Sequence, residues 1–182
     1  MERRRYVRAD ESDLLAWARD GDERAFAWLL AGHRDLLHSI CFRITGHPQD
    51  AEDALQVALL SAWKYLHAFQ GRSRFSTWLY RIAHNAALAV ARQRRPEPVD
   101  PSDVEITGPR TVDPRSFVSE IADRDAVTRA LTLVQPDFRA ALVLREYGGL
   151  SYEEIAQVQG IRIETVKTRI ARARQALARL LA

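Results

Sequence analysis

Six arginines, at positions 72, 74, 81, 92, 94 and 95, crowd residues 72–95, a stretch without a single carboxylate. Phe75, Trp78 and Tyr80 are interleaved with them. Guanidinium groups hold a phosphate backbone, and aromatic faces stack on unpaired bases. A base drawn out of its stack also needs a pocket. The same residues would suit an aromatic core under a basic surface, which is the plainer reading for Trp78 taken alone. A second cationic set lies near the C-terminus. Lys167, Thr168, Ala171, Arg172 and Gln175 share one face of a helical pattern, and Val166, Ile170, Ala173 and Leu177 share the other. Short side chains would let the outer face enter a major groove, where Arg bonds guanine edges in bidentate fashion. Arg169 and Arg174 flank that face and suit phosphates.

A third set is acidic. Asp50, Glu52 and Asp53 open a helical pattern that continues through Gln56, Leu59, Leu60, Trp63 and Tyr65. Acids in a first turn complement the helix dipole. The pattern fits an ordinary amphipathic helix or a protein-docking surface. No further ligand accompanies these carboxylates, so no metal is assigned to them. Cys41 is the only cysteine. It excludes an intrachain disulfide and a zinc site built from cysteines. Its apolar neighbours predict a buried structural thiol. The histidines, at 33, 38, 47, 67 and 84, show no ligand spacing. No nucleophile–base set and no phosphate-binding glycine loop appear, so neither catalytic residues nor a cofactor are expected.

These sets are carried by a chain of 182 residues that reads as helical throughout. Asp10-Glu11-Ser12-Asp13 opens a short helix that Asp20-Gly21-Asp22 breaks. One long amphipathic helix is predicted to carry Phe26, Leu29, Leu30, Leu36, Leu37, Ile40 and Ile44, ending at Gly46-His47-Pro48. A third spans about Asp50 to Ala68. A fourth runs from Ser76, taken as its N-cap, to about Arg95. Later helices are predicted over Ile121–Val134, Asp137–Tyr147, from Ser151 after a capping-box pattern, and over Ile163–Leu181. Helix, glycine-containing turn, helix is the helix-turn-helix arrangement.

Five of the seven prolines fall at 96, 98, 101, 109 and 114. Residues 96–120 carry two Lys+Arg and six Asp+Glu, whereas residues 1–95 carry 15 and 11, and residues 121–182 carry 10 and 7. Two basic ends flank an acidic middle, which suggests two contacts with a polyanion. The expected fold is all-α: an N-terminal tail at 1–9, a helical domain at 10–95, a flexible Pro-rich acidic linker at 96–120 and a second helical domain at 121–182. About 24 extended residues would reach on the order of 80 Å. No stretch approaches the ~20 apolar residues that span a bilayer, and no apolar segment follows the basic start. A cytoplasmic protein without membrane insertion is expected.

Four motifs occur together: Asp50-Ala51-Glu52-Asp53-x-x-Gln56, Phe75-Ser76-Thr77-Trp78-Leu79-x-Arg81-Ile82-Ala83-x-Asn85, Leu150-Ser151-Tyr152-Glu153-Glu154-Ile155-Ala156, and Thr165-Val166-Lys167-Thr168-Arg169-x-x-Arg172-Ala173-Arg174. Their order and spacing resemble those of the extracytoplasmic-function (ECF) sigma factors of bacterial RNA polymerase, from about Glu11 to Leu181. The resemblance implies an alternative sigma factor that directs promoter-specific initiation. Asp50, Glu52, Asp53, Gln56, Leu59 and Trp63 would dock on core polymerase. Arg72, Ser73, Arg74, Trp78, Arg81, Asn85 and Arg92 would contact the minus-ten element and its melted non-template strand. Thr165, Lys167, Thr168, Arg169, Ala171, Arg172 and Arg174 would read the minus-thirty-five element. The linker would run toward the active-site cleft, and an anti-sigma factor would control the protein. Three positions depart from the family's pattern. Ala89 stands where many members have Asp or Asn, Gln135-Pro136 replaces Leu-Pro, and Arg162-Ile163-Glu164-Thr165 replaces a Pro-x-Gly-Thr turn. A stand-alone helix-turn-helix regulator would explain the C-terminal block equally well, but not the acidic helix followed by a basic-aromatic stretch.

Overall fold

A computed structural model describes residues 2–93 and 126–181. The linker expected at 96–120 and the start of the helix expected from Ile121 lie outside the described residues.

The first group of helices begins with α1 (Glu2–Arg8), where the sequence had suggested a tail. Tyr6 explains the difference. Its ring is buried between Trp17 and Trp28, and its hydroxyl donates to Asp22 Oδ2 over 2.9 Å. Next come α2 (Glu11–Arg19) and α3 (Glu23–Ala31), each N-capped by an aspartate. Asp10 accepts from the Asp13 amide, and Asp22 from the amides of Arg24 and Ala25. The long helix predicted through Ile44 is two helices. α3 stops at Gly32, and α4 (Arg34–Thr45) starts after His33. The apolar period runs across this break, so periodicity alone did not reveal it; the glycine, the poorest helix former after proline, marks it. α4 buries Leu37, Ile40, Cys41 and Ile44. Gly46 closes it at φ 77°, in the left-handed region.

Pro48 then occupies the first turn of α5 (Pro48–Tyr65), followed by a single 3-10 turn at Leu66–Ala68. The next helix, α6, starts at Phe75 and runs to Gln93, so Ser76 lies inside its first turn and is not its cap. Phe75 is itself fully buried, which draws the helix start one residue earlier. Helices α4, α5 and α6 pack mutually and form the core of this group.

The second group has α7 over 126–133, α8 (Pro136–Glu146), α9 (Tyr152–Gln159) and α10 (Ile163–Leu181). Ser151 and Glu154 form a reciprocal capping box on α9, and Gly160 ends it at φ 66°. Val166, Ile170 and Ala173 of α10 are buried against this group, with Leu177 partly so. No strand occurs among the described residues. The two groups pack together, α4 and α6 against α8, and α6 against α9.

Cys41 is completely buried, its Sγ 4.0 Å from the Ala83 carbonyl oxygen. Burial, aided by the Glu52 carboxylate, pushes its thiol pKa up to about 12. The thiolate is the reactive form. In the native chain at about pH 8, Cys41 should therefore resist maleimide, and it should react stoichiometrically once denaturant is added. Mass spectrometry of the two samples checks this.

Candidate nucleic-acid interface

Helix α10 presents the face expected of it. Lys167, Thr168, Ala171, Arg172 and Gln175 are all exposed, as is Thr165. Thr168 Oγ1 donates to the Glu164 carbonyl oxygen over 2.9 Å, so its hydroxyl already has one partner on its own helix. The Arg172 guanidinium lies 5.7 Å from the Phe138 ring centre, which leaves its donors facing outward. Arg174 Nη2 pairs with Glu146 Oε1 at 2.6 Å, but both side chains are about half exposed. Such surface pairs contribute only ~0–1 kcal/mol, so a phosphate could replace this carboxylate. Arg169 differs from the other cations of the helix. It is half-buried, with Nη1 3.0 Å from Gln159 Oε1 and 3.4 Å from Asp137 Oδ1.

Along α6, Arg81, Asn85, Ala89 and Arg92 recur at spacings of four, four and three and are exposed on one side. Arg72 and Arg74 are exposed in the loop before the helix, and Ser73 is half-exposed. Of the two readings of the aromatic residues, the aromatic core under a basic surface is the one found. Phe75 and Tyr80 are buried, and Trp78 is half-buried and stacked on Phe75 with ring centres 5.6 Å apart. Phe69 closes this aromatic cluster. Trp78 is the aromatic of the three that still shows an edge to solvent. Arg92 Nη2 bonds Asp137 Oδ1 across the junction of the two groups at 2.8 Å.

Helix α5 carries the acidic set, with one correction. Asp50 is only 4% exposed, so it is a structural residue of the first turn and not part of an outer surface. Leu59 and Trp63 also lean on the core, Trp63 with its ring 5.0 Å from that of Phe26. The outer strip consists of Glu52, Asp53 and Gln56 with Val57 (53% exposed) and Leu60 (64% exposed). Val57 was not singled out from sequence, and Leu60 was named in the helical pattern but not among the docking residues. Their signal was the spacing 53, 56, 57, 60, which lies on one helix face. Glu52 pairs with His38 Nε2 at 3.1 Å, and Asp53 accepts from Gln49 at 3.2 Å.

The junction between the groups is built from the same helices. Besides the Arg92–Asp137–Arg169 cluster, Thr77 Oγ1 donates to Glu154 Oε1 over 3.1 Å. The Arg43 guanidinium lies 3.7 Å from the centre of the Tyr147 ring. Buried His84 bonds Asn85 and Gln159. Nothing in the sequence spacing of His84 signalled this position.

A two-part helical protein whose second part is a helix-turn-helix and whose first part carries a basic stripe has the architecture of a DNA-binding protein. Residues 29–97 match the family model for Sigma-70 region 2, and residues 124–177 match that for Sigma-70, region 4. The chain is 36% identical to the RNA polymerase sigma-H factor of Pseudomonas aeruginosa over 92% of its own length and 91% of that protein. It is 35% identical to the ECF RNA polymerase sigma-E factor of Escherichia coli over 90% of each. Among solved structures it resembles CnrH in complex with the cytosolic domain of CnrY, with a TM-score of 0.69 and 28% identity over 92% of this chain and 94% of that one. It also resembles the sigma factor RpoE of Bartonella quintana in complex with the anti-sigma factor NepR, with a TM-score of 0.66 and 30% identity over 86% and 96%. The chain belongs to the ECF sigma factors, which are transcription initiation factors and not enzymes. No helix among the described residues is long and apolar enough to cross a membrane.

Proposed function

We propose that this sigma factor divides its work between residues 10–95 and 121–182, joined by a linker at 96–120. The first part binds core RNA polymerase and opens the minus-ten element, and the second reads the minus-thirty-five element. The observation that carries this division is a pair of unlike outward faces on one chain. The strip Glu52, Asp53, Gln56, Val57 and Leu60 of α5 is acidic and apolar, whereas the face Lys167, Thr168, Ala171 and Arg172 of α10 is cationic and small. Exposed apolar side chains ringed by polar ones suit a protein partner. Short side chains with cations suit a groove of DNA. The minus-ten contacts follow the α6 stripe Arg81, Asn85 and Arg92 with the loop Arg72–Arg74, and Trp78 offers its open edge to an unpaired base.

Control falls to an anti-sigma factor. The solved relatives CnrH and Bartonella RpoE were each captured with a partner protein. In the packed arrangement of this chain, Arg92 and Arg169 both contact Asp137, so a phosphate would compete with that carboxylate for them. A partner that holds the two groups together would keep those contacts in place. We place the protein in the cytoplasm, where core polymerase and promoter DNA meet.

Three outcomes test these assignments. Asp53→Arg and Leu60→Asp should each weaken core-polymerase binding at least tenfold with helicity by circular dichroism unchanged; wild-type affinity in a titration would remove α5 as the docking face. Arg172→Ala should cost ~1–3 kcal/mol at a target promoter and relax preference at one base pair. Arg174→Ala should weaken all sequences alike and flatten the salt dependence; identical specificity profiles for the two would end the distinction. Asn85→Ala holoenzyme, once assembled on core, should open the promoter more slowly, seen as lower permanganate reactivity of unpaired thymines. Opening at the wild-type rate would assign the strand a different path.

A further inference from the structure

The junction of the two groups contains a hydrogen-bond chain whose direction is fixed from one end. Arg169 can only donate, so the Gln159 oxygen must face it, as it does at 3.0 Å. The Gln159 amide nitrogen then points the other way, 3.4 Å from His84 Nε2. An amide nitrogen also only donates, so His84 Nε2 must accept and therefore carries no proton. The ring's proton sits on Nδ1 and is donated to Asn85 Oδ1 at 3.0 Å. The chain Arg169–Gln159–His84–Asn85 thus links α10 and α9 to α6 through a neutral imidazole of one tautomer. His84 is 3% exposed.

We propose that His84 is an acid-sensitive latch between the two groups: protonation of Nε2 breaks the chain and releases α6 from α9. A proton there would face the Gln159 amide nitrogen, donor against donor. Turning the Gln159 amide over would satisfy the imidazolium but would set its nitrogen against Arg169, again donor against donor. Neither orientation satisfies both ends: the first leaves a buried charged donor unmet, at ~1–3 kcal/mol or more, and the second sets two donors together at the half-buried Arg169. Separation of the groups gives the imidazolium water and removes the conflict.

The charges acting on the ring agree with this. Arg169 on α10 and Arg92 on α6 oppose a third positive charge. Asp137 on α8 favours one, but its carboxylate is already shared by those two guanidiniums. From α9 the nearest acid, Glu154, is held by Thr77 and the Ser151 amide. From α4 the neighbour is Cys41, a neutral thiol at the Ala83 carbonyl. Burial, the largest effect, holds the imidazole below its ordinary pKa in the packed state. The packed state therefore binds fewer protons than the separated one. Its advantage is complete above a pH of about 6.5, the free histidine value, and declines as pH falls from there toward the packed-state pKa.

The latch can be tested on the full chain without its partners. With fluorescent donor and acceptor on exposed faces of α2 and α10, the ratio of separated to packed molecules should rise up to about tenfold per pH unit below about 6.5. His84→Gln keeps an acceptor but cannot be charged, and its ratio should stay flat over that range. Equal pH dependence in the two proteins, or a wild type that never separates, would overturn the proposal. An independent readout needs no variant. At about pH 8 the ring nitrogens of His84 in a long-range proton–nitrogen spectrum should show the proton on Nδ1; a proton on Nε2 would overturn the chain of bonds. The consequence for polymerase binding rests on the sigma-factor reading, whereas these two measurements do not. A working latch with no binding to core polymerase would sink that reading alone.

Discussion

Helix α6 has to be buried twice. One stripe, with Phe75 and Ala83, lies in the core it shares with α4 and α5, where Phe75 meets Phe69, Trp78 and His33 and the Ala83 carbonyl meets the Cys41 thiol. A second stripe, with Thr77 and His84, faces α8 and α9. The first stripe is apolar, and the second mixes hydroxyl, imidazole and small apolar groups. This division sets the energetics of the molecule. Exposing a side chain such as Leu37, Ile40 or Ile44 from the first core costs ~1.5–3 kcal/mol each, because water offers it nothing in return. Opening the second junction exchanges hydrogen bonds between protein groups for bonds to water, at a net ~0.5–1.5 kcal/mol per bond, and also exposes apolar side chains where α8 packs on α4 and α6. The α4–α5–α6 core is thus held by apolar contacts, whereas the junction with α8 and α9 combines apolar contacts with hydrogen bonds that water can replace.

The junction is also where recognition chemistry is held in reserve. Arg92 and Arg169 come from the two halves expected to meet different promoter elements, yet both contact Asp137. A carboxylate between two guanidiniums satisfies the same donors that a phosphate would. A phosphate approaching either cation would therefore compete with Asp137. Arg172 and Arg174 differ, because they lie on the open side of α10, and the one carboxylate paired with Arg174 is itself solvent-exposed.

The α5 surface depends on the same core in another way. Its inner residues Asp50, Ala51, Ala54, Leu55, Ala58 and Ala62 are buried, and the small ones let neighbouring helices approach closely. Val57 and Leu60 lie on the outside, largely uncovered by the described residues. With Glu52, Asp53 and Gln56 they form the apolar part of the strip proposed to dock on polymerase.

Much of this protein was settled by local chemistry that a sequence carries openly. The capping box at Ser151 and Glu154, the aspartate caps of α2 and α3, the left-handed glycines at 46 and 160 and the outward face of α10 depend on neighbours three or four residues away, so residue order alone determined them. The family motifs are legible for the same reason, each lying within one helix or turn. Wherever a residue's state depends on a distant segment, the sequence was silent or misleading. Asp50 belongs to an acidic motif yet is buried. Phe75 and Tyr80 sit among arginines yet belong to the core, because Phe69 and the other helices cover them. The break at Gly32 left the apolar period intact, so periodicity ran across it and the glycine was its one sequence signal. His84 and Gln159, seventy-five positions apart, meet because α6 and α9 lie side by side. Hydrogen-bond direction, burial and charge at that contact are properties of the assembled helices, and only the tertiary structure decided them.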